Sequence, residues 1–115
     1  MKNKYKILIP FVFLISGVVC QDVDQFFKQN CSSCHTIGGG RLTGPDLKNV
    51  HERKDDEWLK KFINDPVAII NSGDAYARQI LDESRGIMMP KVGGLTPFIV
   101  QSLLDLIKEE SAKEK

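Results

Sequence analysis

Two cysteines three residues apart, followed at once by a histidine, stand at Cys31-Ser32-Ser33-Cys34-His35 in a chain of 115 residues. Two thiols and an imidazole at that spacing form the attachment pattern of a c-type haem. Near a helix end, positions i and i+3 face one side, so both sulfurs can form thioethers with the two vinyl groups of one porphyrin. His35 then lies beneath the ring, where an imidazole nitrogen reaches iron from the proximal side. Other uses of these residues fit less well. A zinc site needs a second ligand pair, and only Cys20 remains. A thiol–disulfide oxidoreductase places its pair at a helix start after a strand, and no strand pattern precedes Cys31. A plain Cys31–Cys34 disulfide explains neither His35 nor the leader that precedes it.

That leader is legible in residues 1–20. Lys2, Lys4 and Lys6 precede an apolar stretch from Ile7 to Val19, and no acidic residue occurs before Asp22. A cationic head on a short apolar segment is the pattern of an export signal. The stretch is thirteen residues, short of the about 20 that span a bilayer, and Pro10 weakens it further as a helix. An uncleaved membrane anchor is the competing reading. Cleavage after Cys20 would place Val18 and Cys20 at the two small-residue positions read by signal peptidases. Alternatively Cys20 becomes the first residue and carries lipid, although Val19 stands where a lipoprotein box has Gly or Ala. The expected organisation is an export segment over 1–20, one domain over 21–110 and a polar tail over 111–115. The expected location is the periplasm or the outer face of the cytoplasmic membrane.

Composition narrows the class. Lys+Arg 16 against Asp+Glu 15, with 42% hydrophobic and 27% charged residues, is the make-up of an ordinary globular chain rather than a disordered one. Loss of the three leader lysines leaves 13 basic and 15 acidic groups, a net charge of −2. No basic stripe is present, so nucleic acid is not an expected partner.

The elements that must position Cys31, Cys34 and His35 read as helices. Asp22 can cap a helix through Val23, Phe26 and Phe27 towards Cys34, its apolar residues recurring at three and four positions. Thr36 to Val50 has no periodicity, and its glycines and Gly44-Pro45 mark an irregular loop. Asp55 or Asp56 opens a second helix with Trp58, Leu59, Phe62 and Ile63 on one side, stopped at Asn64-Asp65-Pro66. A helical turn over Ala68-Ile69-Ile70 and a modest helix over Asp74 to Glu83 follow. Gly86 to Leu95 is a second loop. Thr96 is a good N-cap with Pro97 at the first helical position, ahead of an apolar stripe through Ile99, Val100, Leu103, Leu104, Leu106 and Ile107. From Lys108 the chain is polar and expected to fray.

With these features the chain resembles the monohaem class I cytochrome c family over nearly all of residues 22–110. Phe27, four residues before Cys31, is similar to an aromatic in that family's first helix. Thr43-Gly44-Pro45-Asp46-Leu47 looks like its loop after the haem motif, and Trp58-Leu59 with Asn64-Asp65-Pro66 like its middle helix. The resemblance implies an all-α cytochrome c-like fold, about four to five helices with long loops wrapped around one covalent haem c. It implies that the Pro45 carbonyl accepts the N–H of His35, fixing the proximal ring. It also implies that Trp58 packs at the haem edge near a propionate. For the distal ligand the candidates are Met88, Met89 and His51. The family's ligand commonly precedes a proline ahead of the last helix, and Met89-Pro90 fits that pattern; Met88 is the second choice. Two positions depart from the family. Leu106 or Ile107 must serve where an aromatic often packs on the first helix, and Val92 stands where another aromatic is frequent.

The implied function is electron transfer by His/Met-ligated haem rather than catalysis, because both axial positions are taken by protein. Implied partners are extracytoplasmic redox proteins, a quinol-oxidising complex as donor and an oxidase or reductase as acceptor, with the carrier a monomer. Contact with the membrane would come only through a lipid on Cys20 or an uncleaved leader. Lys48, Lys54, Lys60, Lys61 and Lys91 could ring a haem edge and steer a partner, or simply form a solvated surface. The alternatives are a gas-binding or peroxidatic protein with a labile Met ligand, and a dedicated subunit of one enzyme complex.

Overall fold

The computed structural model describes Pro10 and residues 22–114, so the export segment and the alternatives at Cys20 lie outside the described residues. Those residues form six helices and no strand: α1 (Val23–Asn30), α2 (Val50–Arg53), α3 (Asp56–Asn64), α4 (Pro66–Asn71), α5 (Ala75–Glu83) and α6 (Pro97–Ala112). Five begin at a short polar side chain that accepts an otherwise unpartnered amide. Asp22 accepts from Asp24, Asp55 from Trp58, Asp65 from Ala68, Asp74 from Ala77 and Thr96 from Ile99. No helix among the described residues is long and apolar enough to cross a membrane.

Three boundaries differ from the sequence expectation, each for a tertiary reason. α1 stops at Asn30; the Cys31 amide bonds Phe27, and the amides of Cys34 and His35 both turn back onto the Cys31 carbonyl. The two cysteines therefore sit on a tight turn after the helix. α2 has neither periodicity nor a side-chain cap. It is nucleated by Asn49 in the left-handed region (φ 58°) and by burial of Val50. α6 runs past Lys108 to Ala112, because Lys108 reaches Asp56 at 3.2 Å and the buried Ser111 hydroxyl accepts the Asn49 amide at 2.9 Å.

Among the described residues, α6 supplies six of the ten that are apolar and buried. Its Leu104 and Ile107 form the centre of the core with Val50 and Leu59, and Ile37, Leu47, Trp58 and Ile63 pack around them. The expected roles of Leu106 and Ile107 are thereby divided: both are buried, but Ile107 belongs to this core, whereas Leu106 lines a groove with Val23 of α1.

The loop between His35 and α2 is irregular but well braced. The Asp46 carboxylate accepts the amides of Gly38 (2.7 Å), Lys48 (2.9 Å) and Gly40 (2.9 Å), and Arg53 donates to the carbonyls of Asp46 and Lys48. Partial burial pushes the Asp46 carboxyl up, but these amides and the Arg53 charge outweigh it and hold the group below its ordinary value. A depressed folded-state value means that its contribution is complete above the unfolded value of about 4 and is lost as pH falls through the folded one. Asp46→Asn should therefore lower the denaturant midpoint at neutral pH, and the gap from wild type should close on acidification below about pH 4. A gap constant from pH 7 to pH 2 would show that the charge has no part in bracing the loop.

Candidate functional site

Beside the α6 core lies an apolar cleft of about 1310 Å³, counting the part that opens to solvent. Protein interiors are close-packed, so a continuous recess with nearly all-apolar walls is suited to a large apolar group. Phe26 and Phe27 of α1, Leu59 and Phe62 of α3 and Ile80 of α5 contribute to the walls. Cys31, Cys34 and His35 reach the cleft from the turn after α1, and Met88, Met89 and Pro90 from the loop before α6.

His35 is fixed on two sides. Its Nδ1–H donates to the Pro45 carbonyl at 2.8 Å, which leaves the Nε2 lone pair for a metal. The ring also rests against Gly44: a Cβ there would lie 2.5 Å from Cε1 and 2.9 Å from Nδ1. The Gly44 amide donates to the Cys34 carbonyl at 2.8 Å, so the loop is bonded directly to the motif it supports. Burial lowers the His35 proton affinity, the Pro45 carbonyl opposes this, and the positive charge of Arg41 adds to the lowering. The net effect favours neutral imidazole, the form a metal requires.

Cys31 and Cys34 are half-buried and form no disulfide. Burial pushes the Cys31 thiol up, opposite to the depressed thiol on which thiol–disulfide exchange depends. The donor set is therefore two cysteine sulfurs, an imidazole with one free nitrogen and methionine thioethers, all on one apolar cleft. Covalent haem fits these groups. Among the described residues no three His, Cys, Asp or Glu side chains converge on an alternative metal position.

Of the distal candidates, Met88 and Met89 both line the cleft, Met88 at 39% exposure and Met89 half-buried. His51 does not line it; it lies on α2, with Nδ1 buried and without a hydrogen-bond partner. The Trp58 ring faces the cleft, but its indole N–H is already donated to Asp74 at 3.0 Å. Trp58 stacks on Phe62 (centroids 4.9 Å apart) and meets Tyr76 edge-on at 5.3 Å, with the Lys54 ammonium 5.0 Å from its ring centre. Val92, at the position where an aromatic is frequent in the family, lines the cleft.

Sequence reasoning missed the use of Asp74 to hold Trp58, and of Arg53 as both cleft lining and loop brace. Trp58 and Asp74 are sixteen residues apart, too far for any helical spacing rule to pair them. Gly44 was visible only as part of a loop motif; its contact with the His35 ring has no local signal.

A family model described as cytochrome c matches residues 21–97. Among solved structures, the cytochrome c domain of the pp3183 protein from Pseudomonas putida is similar, with 28% identity and a TM-score of 0.68, covering 79% of this chain and 89% of that one. Cytochrome c from Rhodothermus marinus is similar in fold, with 22% identity and a TM-score of 0.71, covering 82% of this chain and 78% of that one. No curated protein matches the sequence.

Gly44 does not occupy the left-handed region, so replacing it tests steric fit alone. Gly44→Ala should push the His35 ring or the 43–45 backbone aside and cost about 1–3 kcal/mol in denaturant unfolding of the holoprotein. It should also reduce the fraction of expressed protein that carries haem. An unchanged unfolding midpoint would show that the ring does not need this close approach.

Proposed function

The chain belongs to the cytochrome c family and carries haem c, and from that premise we propose that it is an exported electron carrier whose iron is held by His35 and Met89. When bound, the group supplies a one-electron couple between ferric and ferrous iron. Cys31 and Cys34 would hold it through thioethers, and His35 would present Nε2 to iron while Pro45 and Gly44 keep the ring from turning. Met89 supplies the distal thioether, with Pro90 stiffening its loop; Met88 packs as a filler against the same face. Phe26, Phe27 and Phe62 exclude water, and Trp58 adds its ring to the cleft wall while Asp74 retains the indole N–H.

The observation that carries this reading is the meeting of His35 and Met89 on one apolar cleft, although they are far apart in the chain. With His35 and Met89 both committed to iron, no coordination position would be left for a substrate, and a fixed cage would need little rearrangement on electron transfer. The leader supports a place outside the cytoplasm, in the periplasm or at the outer face of the cytoplasmic membrane. The partners there would be a quinol-oxidising complex as donor and an oxidase or reductase as acceptor, met by a monomeric carrier.

Met89→Ala should abolish the weak sulfur-to-iron absorption band of the ferric protein and lower its reduction potential, whereas Met88→Ala should leave the band in place. The opposite pair of results would move the ligand to Met88. The ferrous wild-type protein should take up carbon monoxide only slowly and incompletely at neutral pH. Rapid stoichiometric uptake would replace the carrier with a gas-binding protein.

A further inference from the structure

Arg41 projects from the loop that carries Pro45 and reaches the far end of α5. Its Nη1 donates to the Ser84 hydroxyl at 3.2 Å and to the Glu83 carbonyl at 3.4 Å, and its Nη2 pairs with the Glu83 carboxylate at 3.2 Å. The Glu83 carbonyl is one of the last of its helix and has no intrahelical partner. A cation placed there also faces the negative end of the helix dipole.

Ser84 is a junction in its own right. It is buried, its amide closes α5 on the carbonyls of Ile80 and Leu81, and its carbonyl accepts the amide of Ile87. Between Ser84 and Ile87 the chain reverses through Arg85 (φ 58°) and Gly86 (φ 77°), both left-handed. Beyond Ile87 lies the loop with Met88 and Met89. Among the described residues, Met88 to Lys91 make no hydrogen bond; the chain then turns at Gly93-Gly94 before the Thr96 hydroxyl caps α6. The methionine loop thus hangs from two ends, and Arg41 grips one of them.

We infer that Arg41 is a positioning residue that fastens the methionine loop to the loop orienting His35, so that the two ligand-bearing segments move as one unit. The inference rests on the assignment of Met89 as distal ligand. A single exposed ion pair contributes little, but a planar fork that binds a helix-end carbonyl, a hydroxyl and a carboxylate fixes direction as well as distance. Its effect falls on the fraction of molecules in which the loop has swung away from the iron rather than on the fold as a whole.

The test uses the ferric holoprotein and imidazole as a small competitor for the distal position. Arg41→Gln should bind imidazole roughly three- to tenfold more tightly than wild type, because more of the loop population is open. It should also lose the sulfur-to-iron band at a lower pH. Arg41→Lys keeps the charge without the fork and should loosen the loop as well. Ser84→Ala should act in the same direction with a smaller effect, and it carries the test if the Arg41 variants do not fold. Leu106→Val, a change at a buried residue that does not line the cleft, controls for general destabilisation and should leave imidazole affinity unchanged. Wild-type affinity in Arg41→Gln, full retention in Arg41→Lys, or equal loosening in Leu106→Val would each overturn the inference. If Met89→Ala keeps the sulfur band, the ligand assignment fails and the inference falls with it. If Met89→Ala loses the band while Arg41→Gln behaves as wild type, the inference alone falls.

Discussion

The hydrogen bond from His35 Nδ1 to the Pro45 carbonyl, 2.8 Å long, is the constraint around which the rest of the site is arranged. It selects one tautomer, and with it the nitrogen that is free to bind iron. For that carbonyl to stand where it does, Gly44 must lie against the imidazole without a side chain. The loop must in turn be held from behind by the Asp46 carboxylate and the Arg53 guanidinium. The Gly44 amide closes the circuit on the Cys34 carbonyl. Motif, loop and ring are thus one hydrogen-bonded unit, rigid because each member limits the freedom of the next.

A second consequence concerns packing. More than half of the buried apolar residues among those described come from α6, and α1, α3 and α5 each turn apolar side chains towards the cleft. Haem c is therefore part of the hydrophobic interior as well as the redox group, and burial of its porphyrin against these walls draws on the same driving force as burial of side chains. The aromatic cluster of Trp58, Phe62 and Tyr76, with Lys54 over two of its rings and Asp74 on the indole, extends this wall. It joins the starts of α3 and α5 through contacts that are both apolar and charged.

Much of the architecture was legible because it is local. Asp22, Asp74 and Thr96 open helices at the expected places, since a cap acts on amides only two or three residues away. Cys31, Cys34 and His35 announce their chemistry by spacing alone, and the cytochrome c resemblance rests on short motifs around them. The misreadings have the opposite character. α2 has no sequence signal because Asn49 and Val50 are fixed by α6. The extension of α6 to Ala112 depends on Asp56 and Asn49, which lie 52 and 62 residues from their partners. The Asp74 acceptor of the Trp58 indole N–H, sixteen residues along the chain, likewise had no local signal.

Residue types at short spacing were enough to establish a covalent haem, a helical fold and the family, because thioether attachment and helix capping are governed by neighbours along the chain. Only the folded chain decided that Gly44 lies against the His35 ring, that His51 stays off the cleft, and that Arg41 meets the end of α5. Those outcomes depend on where distant backbone segments come to rest against one another, and no rule of spacing along the chain encodes a distance across it.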